Sequence, residues 1–174
     1  MKTNKEDISN HLVCRSAVEE DIPYIFNLCI SYMNDSSQDY DKIFSNSFLS
    51  NGSVATYNGL IVGFVGRWRK ISTNILKLGY LVVDSNFRGL GIGTNLIKFE
   101  IKDIHNATVM VESWIHPVTS GEATSDFLFK KLGFIEIDHN ASYWEKDCKS
   151  TNDCLYRTDR CVCSRKLMIK HFGG

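Results

Sequence analysis

Apolar positions set the first element. From Ile22 they fall at Ile22, Ile25, Phe26, Cys29, Ile30 and Met33, the i, i+3, i+4, i+7 spacing of one helix face. Pro23 stands in the first turn, where a missing N–H costs little. Glu19, Glu20 and Asp21 precede it, at the positive end of the helix dipole. A mixed run over His11 to Arg15 predicts a short strand before this helix. A weaker helical pattern over Gln38 to Phe48 places Tyr40, Ile43, Phe44 and Phe48 inward.

The period then shortens to that of strands. Ser53 to Tyr57 and Leu60 to Trp68 are extended runs joined by Asn58-Gly59, a dipeptide suited to a type I′ hairpin turn. Asn74 to Val83 predicts a third strand, ending in Leu81-Val82-Val83. A helix is expected from Gly91 to about His105, with Ile97, Ile101 and Ile104 buried, and a strand over Thr108 to Ser113. Glu122 to Leu132 reads as a helix closed by Gly133, where a left-handed cap is wanted. Phe134 to Ile137 and Arg165 to Ile169 return to strand. This order predicts an α/β (α+β) domain, with a single mixed, mostly antiparallel central sheet flanked by helices.

No repeat, low-complexity tract or linker divides the 174 residues, so 1–174 is read as one domain, with 140–174 including a Cys-rich extension. Lys plus Arg and Asp plus Glu are 20 each, giving a formal net charge of zero. That balance gives no global electrostatic case for nucleic acid or for an anionic membrane. Met1 to Asn10 is polar without an apolar h-region, and no apolar run reaches the roughly 18 residues of a membrane helix. A cytoplasmic location is the expectation.

The chemistry concentrates between Val83 and the helix after Gly91. There the chain reads Asp84-Ser85-Asn86-Phe87-Arg88-Gly89-Leu90-Gly91-Ile92-Gly93-Thr94. Glycines let backbone amides approach a ligand, and a helix start supplies unpaired N–H donors with partial positive charge. Strand, glycine-rich turn and helix start together suit an anion, most naturally phosphate. The dinucleotide fingerprint G-x-G-x-x-G fails, because Thr94 occupies its third glycine position. A Walker loop also fails, because Gly93 is followed by Thr94-Asn95 without the lysine. Read alone, the glycines could equally serve a tight turn.

Arg88-x-x-Gly91-x-Gly93 resembles the R/Q-x-x-G-x-G/A signature of the GCN5-related N-acetyltransferase (GNAT) superfamily, set after a strand and opening a helix. Arg15-x-Ala17-x-x-x-Asp21-x-x-x-Ile25 looks like that family's first strand and helix. Asn58-Gly59-Leu60-Ile61-Val62-Gly63-Phe64 looks like its strand 2–3 hairpin. Phe129-Lys130-Lys131-Leu132-Gly133-Phe134 is similar to its Y-x-K-x-G-F segment. The resemblance spans about residues 12 to 138. It implies acetyl-CoA as cosubstrate, with the pantetheine arm paired to the backbone of Leu81, Val82 and Val83. The pyrophosphate would be cradled by amides of Arg88, Gly89, Leu90, Gly91, Ile92, Gly93 and Thr94, and Phe129 would belong to the same binding region. A backbone N–H at Val83 would polarise the thioester carbonyl. A primary amine, on a small molecule or peptide, would attack directly. The superfamily often dimerises, which leaves a homodimer open.

The sequence departs from the pattern at Phe129, where many relatives carry a tyrosine that protonates the leaving thiolate. Phe129 cannot donate a proton. Ser125, one helical turn earlier, and Tyr143 are the candidate replacements, although a weakly basic thiolate can leave without a dedicated acid. Glu112 is the best-placed candidate base, with an ion-paired strand end as its ordinary alternative. Trp114 and His116 are candidates for lining a substrate cleft, and Tyr32, Asp35 and Tyr143 for meeting the acceptor.

Cys148, Cys154, Cys161 and Cys163 are spaced C-x5-C-x6-C-x-C. Four thiolates can hold a structural Zn²⁺, but paired C-x-x-C knuckles are missing, so reduced thiols and a regulatory disulfide stay open beside it. Cys14 and Cys29 read as core filler. The functional expectation is acetyl transfer from acetyl-CoA to a primary amine. The alternative is a non-catalytic module that binds or senses acyl-CoA.

Overall fold

The computed structural model describes residues 11–33, 51–115, 125–141 and 163–173, with residues 32–33, 68–71 and 114 as backbone alone. Strands β1 (Leu12–Ser16), β2 (Ser53–Tyr57), β3 (Leu60–Ser72), β4 (Ile75–Val83), β5 (Ala107–Ile115), β6 (Ile135–Asn140) and β7 (Ser164–Phe172) form a seven-stranded sheet ordered β1-β2-β3-β4-β5-β7-β6. The helices are α1 (Ile22–Met33), α2 (Ile92–Ile101) and α3 (Ser125–Lys131). The expected mixed sheet with flanking helices is present. The expected helix over Gln38 to Phe48 lies outside the described residues.

The described residues divide into two compact units. One holds 11–33, 51–69 and 78–104, and the other holds 70–77, 105–115, 125–141 and 163–173. In the first, β1 pairs antiparallel with β2, and β2 with β3 through the Asn58-Gly59 turn. Asn58 (φ 50°) and Gly59 (φ 81°) both take the positive φ that a type I′ turn requires. Ile25, Leu28 and Cys29 of α1 pack into a core with Ala17, Val54, Phe64 and Val82. Leu28 was not on the face read from the sequence, while Phe26 and Ile30 are only half-buried. The buried stripe is rotated toward Leu28.

Asp21 also differs from its reading as a dipole-facing acid. It is buried, and its two oxygens accept from Arg15 Nη1 at 2.6 Å and Nη2 at 2.8 Å, with the Val18 amide at 2.9 Å. It fastens the end of β1 to the start of α1. The Arg15 guanidinium, with the Val18 amide, holds the Asp21 carboxyl below the usual carboxylate range against the opposing effect of burial.

In the second unit, β7 pairs antiparallel with β5 along Ala107↔Phe172 to Ile115↔Ser164, and with β6 on its other side. Ser164–Phe172 is therefore an interior strand, so this part of 140–174 belongs to the fold rather than to an added extension. Helix α3 ends as the sequence predicts. The Gly133 amide (φ 82°) donates to Lys130 O, and the Phe134 amide donates to Phe129 O. These two bonds form a Schellman cap, completed by the Phe129–Phe134 ring contact at 5.5 Å. Helix α2 stops at Ile101, one turn before the expected His105, and Ile104 lies beyond it, half-buried.

Candidate functional site

The site is built from the turn between β4 and α2, all within the first unit. Asp84 opens the turn: its carboxylate accepts from the Asn86 amide at 2.9 Å, and its own amide donates to Val62 O at 3.0 Å. A 3-10 turn over Ser85–Phe87 follows. Arg88 folds back so that its Nε donates to Val83 O at 3.1 Å, spanning the loop from the strand's last residue. One side-chain contact of Arg88 is thus with strand backbone.

Gly89 (φ 75°) and Gly91 (φ 87°) are both left-handed, and a Cβ at either would meet no atom within 4 Å. Sterics of packing do not demand glycine here. Backbone conformation does, and the space beside both glycines is open. Gly91 is the N-cap of α2, and the first helical carbonyl bond is Asn95 N to Gly91 O at 3.0 Å. The amides of Ile92, Gly93 and Thr94 therefore have no acceptor within the helix and point along its positive end. Ile92, Leu96, Ile97 and Ile101 are buried and fix the helix.

Two residues outside the motif make this geometry. Gly63 on β3 faces α2: a Cβ there would lie 3.0 Å from Leu96 Cδ1 and 3.1 Å from Ile92 Cγ2. The absence of a side chain lets the helix approach the strand. Glu100, buried on α2, accepts from Ser53 Oγ and from Arg67 Nε at 3.1 Å and Nη2 at 2.8 Å. Gly63 belongs to the hairpin segment already singled out, whereas Glu100 did not stand out, because a helix glutamate carries no local signal.

Within β4, Tyr80 adopts φ 30°, a value that asparagine tolerates and a tyrosine in a strand rarely shows. It immediately precedes Leu81, Val82 and Val83. A left-handed residue interrupts the alternation of N–H and C=O groups along a strand, so neighbouring groups turn out of the ladder. Val82 is buried, whereas Leu81 and Val83 are half-exposed.

The candidate proton-transfer residues that can be placed lie in the second unit. Glu112 on β5 binds Lys77 Nζ through Oε2 at 2.7 Å and Arg165 Nη1 through Oε1 at 3.1 Å, and Arg165 Nη2 reaches Asp138 at 2.6 Å. Both oxygens are committed to cations, so a base role would require one cation to release. Ser125, the first residue of α3, shares a hydrogen bond of 2.6 Å with Ser113, which is fully buried on β5. Ser113 was missed in the sequence. Phe129 is buried against Phe134 in the helix cap, a packing role. Tyr143, Asp35 and His116 lie outside the described residues, as do the side chains of Tyr32 and Trp114.

Of the proposed zinc ligands, Cys163 is buried, and Cys148, Cys154 and Cys161 lie outside the described residues. Among the described residues no group of three or more His, Cys, Asp or Glu could hold a metal ion, so zinc gains no support. Cys29 is wholly buried, as expected of core filler, and burial pushes its thiol up to about 12. No described helix is long and apolar enough to cross a membrane.

The mixed α/β fold thus sets a left-handed glycine turn at a strand end, opening a helix. Residues 47–136, just over half of the chain, match the family model for the acetyltransferase (GNAT) domain, and the protein belongs to that family of acetyltransferases. No curated protein sequence matches the chain. Solved structures share the fold at low identity. A GNAT family acetyltransferase from Elizabethkingia anophelis with acetyl-CoA bound superposes with a TM-score of 0.68 at 16% identity, covering 94% of this chain and 99% of that one. Naa50 from Arabidopsis thaliana, in complex with the bisubstrate analogue CoA-Ac-MVNAL, gives 0.66 at 16% identity, covering 93% and 99%. The ribosomal-protein-S18-alanine N-acetyltransferase from Escherichia coli gives 0.64 at 16%, covering 91% and 92%.

Proposed function

We propose that this acetyltransferase takes its acetyl group from acetyl-CoA and passes it to a primary amine by direct attack. The observation that carries the reading is the pair of left-handed glycines, Gly89 and Gly91, with open space above them and the first amides of α2 behind. Backbone donors from Arg88 to Thr94 receive the pyrophosphate, an anion suited to a helix start. The backbone of Leu81, Val82 and Val83, following the kink at Tyr80, takes the pantetheine arm, and the Val83 amide polarises the thioester carbonyl.

The amine nitrogen bonds to the carbonyl carbon, the C–S bond breaks, and the proton shed by the nitrogen ends on the departing thiolate. Ser125, hydrogen-bonded to Ser113, is the proposed route for that proton, with Tyr143 as the second candidate. Its hydroxyl is a weaker acid than the phenol that Phe129 replaces, and a thiolate asks for little help. Glu112 retains the proposed base role only if its pairing with Lys77 or Arg165 opens. The acceptor class is a small molecule or a peptide amine. The relatives named above include one holding a peptide-bearing bisubstrate analogue, which makes peptides with free amino termini the first acceptors to screen.

Calorimetric titration with acetyl-CoA tests the cradle. The wild type binds, and Gly91→Glu, which sets a carboxylate and a strained φ where the pyrophosphate lies, does not, while both unfold cooperatively. A folded wild type that leaves acetyl-CoA unbound would overturn the reading.

A further inference from the structure

Arg88 and its glycines are preceded by an aromatic residue that no part of the motif explains. The Phe87 ring lies 5.6 Å, centroid to centroid, from the ring of Tyr57, tilted by 56°. Tyr57 ends β2 at the hairpin, and His11 meets its ring edge-on at 6.2 Å. Thirty positions of sequence separate Tyr57 from Phe87, so this contact is a long-range tie between the β2–β3 hairpin and the loop.

The loop is also held by hydrogen bonds from the Asp84 amide to Val62 O, from the Phe87 amide to Asp84 O at 2.9 Å, from the Asn86 amide to the Asp84 carboxylate, and from Arg88 Nε to Val83 O. These bonds lie within the turn or tie it to β4 and β3. Beyond Phe87, Gly89 and Gly91 supply no side chain and so cannot brace themselves by packing. A glycine-rich turn of this kind loses conformational entropy when a ligand orders it, unless something fixes its approach beforehand.

We propose that Tyr57 is a positioning residue for the anion-binding loop, acting through the Phe87 ring to hold Arg88 and Gly89 in their binding geometry before acetyl-CoA arrives. The inference rests on the cradle assignment above. An aromatic pair of this geometry is worth roughly 0.5–1.5 kcal/mol beyond its buried area. If that energy preorganises the loop, its loss weakens acetyl-CoA by about two- to tenfold.

The experiment is calorimetric titration of Tyr57→Phe, Tyr57→Ala and Phe87→Leu with acetyl-CoA. A control, Val109→Ala, lies on β5 in the other unit and lowers the melting temperature by packing loss alone. Tyr57→Phe keeps the ring and retains wild-type affinity, while Tyr57→Ala and Phe87→Leu each weaken binding by about two- to tenfold. Val109→Ala binds as wild type does. Wild-type affinity in both Tyr57→Ala and Phe87→Leu overturns the inference, and so does an equal loss in Val109→Ala, which would make the effect general destabilisation. Should Tyr57→Ala fail to fold, Phe87→Leu decides alone. A wild type without affinity for acetyl-CoA removes the cradle itself, an outcome distinct from a wild type that binds with variants that match it.

Discussion

Arg67 donates from both Nε and Nη2 to a single oxygen of Glu100, at 3.1 and 2.8 Å, while Ser53 donates to the other. The carboxylate is almost wholly buried, with its side chain 3% exposed, whereas that of Arg67 is 43% exposed. One charge of the pair is thus desolvated and the other is not. This asymmetry sets what each loss costs: Arg67 can return to water, but Glu100 cannot. The three residues join β2, β3 and α2, the helix whose first turn forms the ligand loop.

Glu100→Ala removes the partner of Ser53 and leaves Arg67 without its acceptor. Glu100→Ala lets Arg67 return to water and costs less than Arg67→Ala, which strands the buried carboxylate at a cost of about 3 kcal/mol. For a chain of this length that is a fall in melting temperature of about 6–12 °C. Because the two residues share one interaction, adding Arg67→Ala to Glu100→Ala costs less than the sum of the single changes. Thermal denaturation of the three variants measures this, and strict additivity would contradict the pairing.

Acid stability follows from Asp21. Its carboxyl is held low chiefly by Arg15, so the folded pKa lies below the unfolded one, ordinarily about 3.8. A group shifted in this sense contributes its stability in full above the unfolded value and loses it as pH falls through the folded value. Wild type therefore loses stability on acidification below about pH 4, and Asp21→Asn is less stable at neutral pH with a shallower acid limb. Urea denaturation between pH 2 and 7, a range set by ordinary carboxylate titration, checks it; identical acid limbs would contradict it.

Cys29 predicts a chemical silence. A thiol with no exposed surface, raised to about 12, is almost entirely protonated at pH 8. Iodoacetamide leaves it unmodified in the native protein and labels it in denaturant, read by peptide mass spectrometry. Cys14, half-buried and raised less far, labels slowly. Rapid native labelling of Cys29 would contradict its place in the core.

Gly63 tests the seat of the helix. A Cβ at 3.0–3.1 Å from Leu96 Cδ1 and Ile92 Cγ2 requires these side chains of α2 to give by a few tenths of an ångström. Overpacking of this order costs about 1–3 kcal/mol. Because Ile92 opens α2 immediately after Gly91, Gly63→Ala also weakens acetyl-CoA binding. A stability loss with unchanged affinity would show that the adjustment stops short of the loop.

How much of this the sequence carried depends on whether the cause was local. The Asn58-Gly59 turn, the Gly133 cap and the Gly89–Gly91 loop each require a backbone conformation that particular residues supply, and all three formed where expected. The sequence motif therefore located the candidate loop. Ser113 and Glu100 matter through neighbours distant in sequence: a hydroxyl on α3 for the first, and Ser53 and Arg67 on two strands for the second. No periodicity reports those. Glu112 shows the same limit, since its residue type suggested a base while Lys77 and Arg165, from two other strands, occupy its oxygens. Leu28 entered the core because packing rotated α1 from its apolar periodicity.

The central claim is transfer of an acetyl group from acetyl-CoA to an amine over the Gly89–Gly91 loop. The most direct measurement is thiol release from acetyl-CoA with a panel of peptide and small-molecule primary amines, wild type beside Gly91→Glu, with the acetylated product identified by mass. Release that depends on the amine, yields an amide, and is abolished in the variant is the predicted result. Thiol release absent with every amine while acetyl-CoA still binds would contradict it, and would make this chain an acyl-CoA-binding member of an enzyme family.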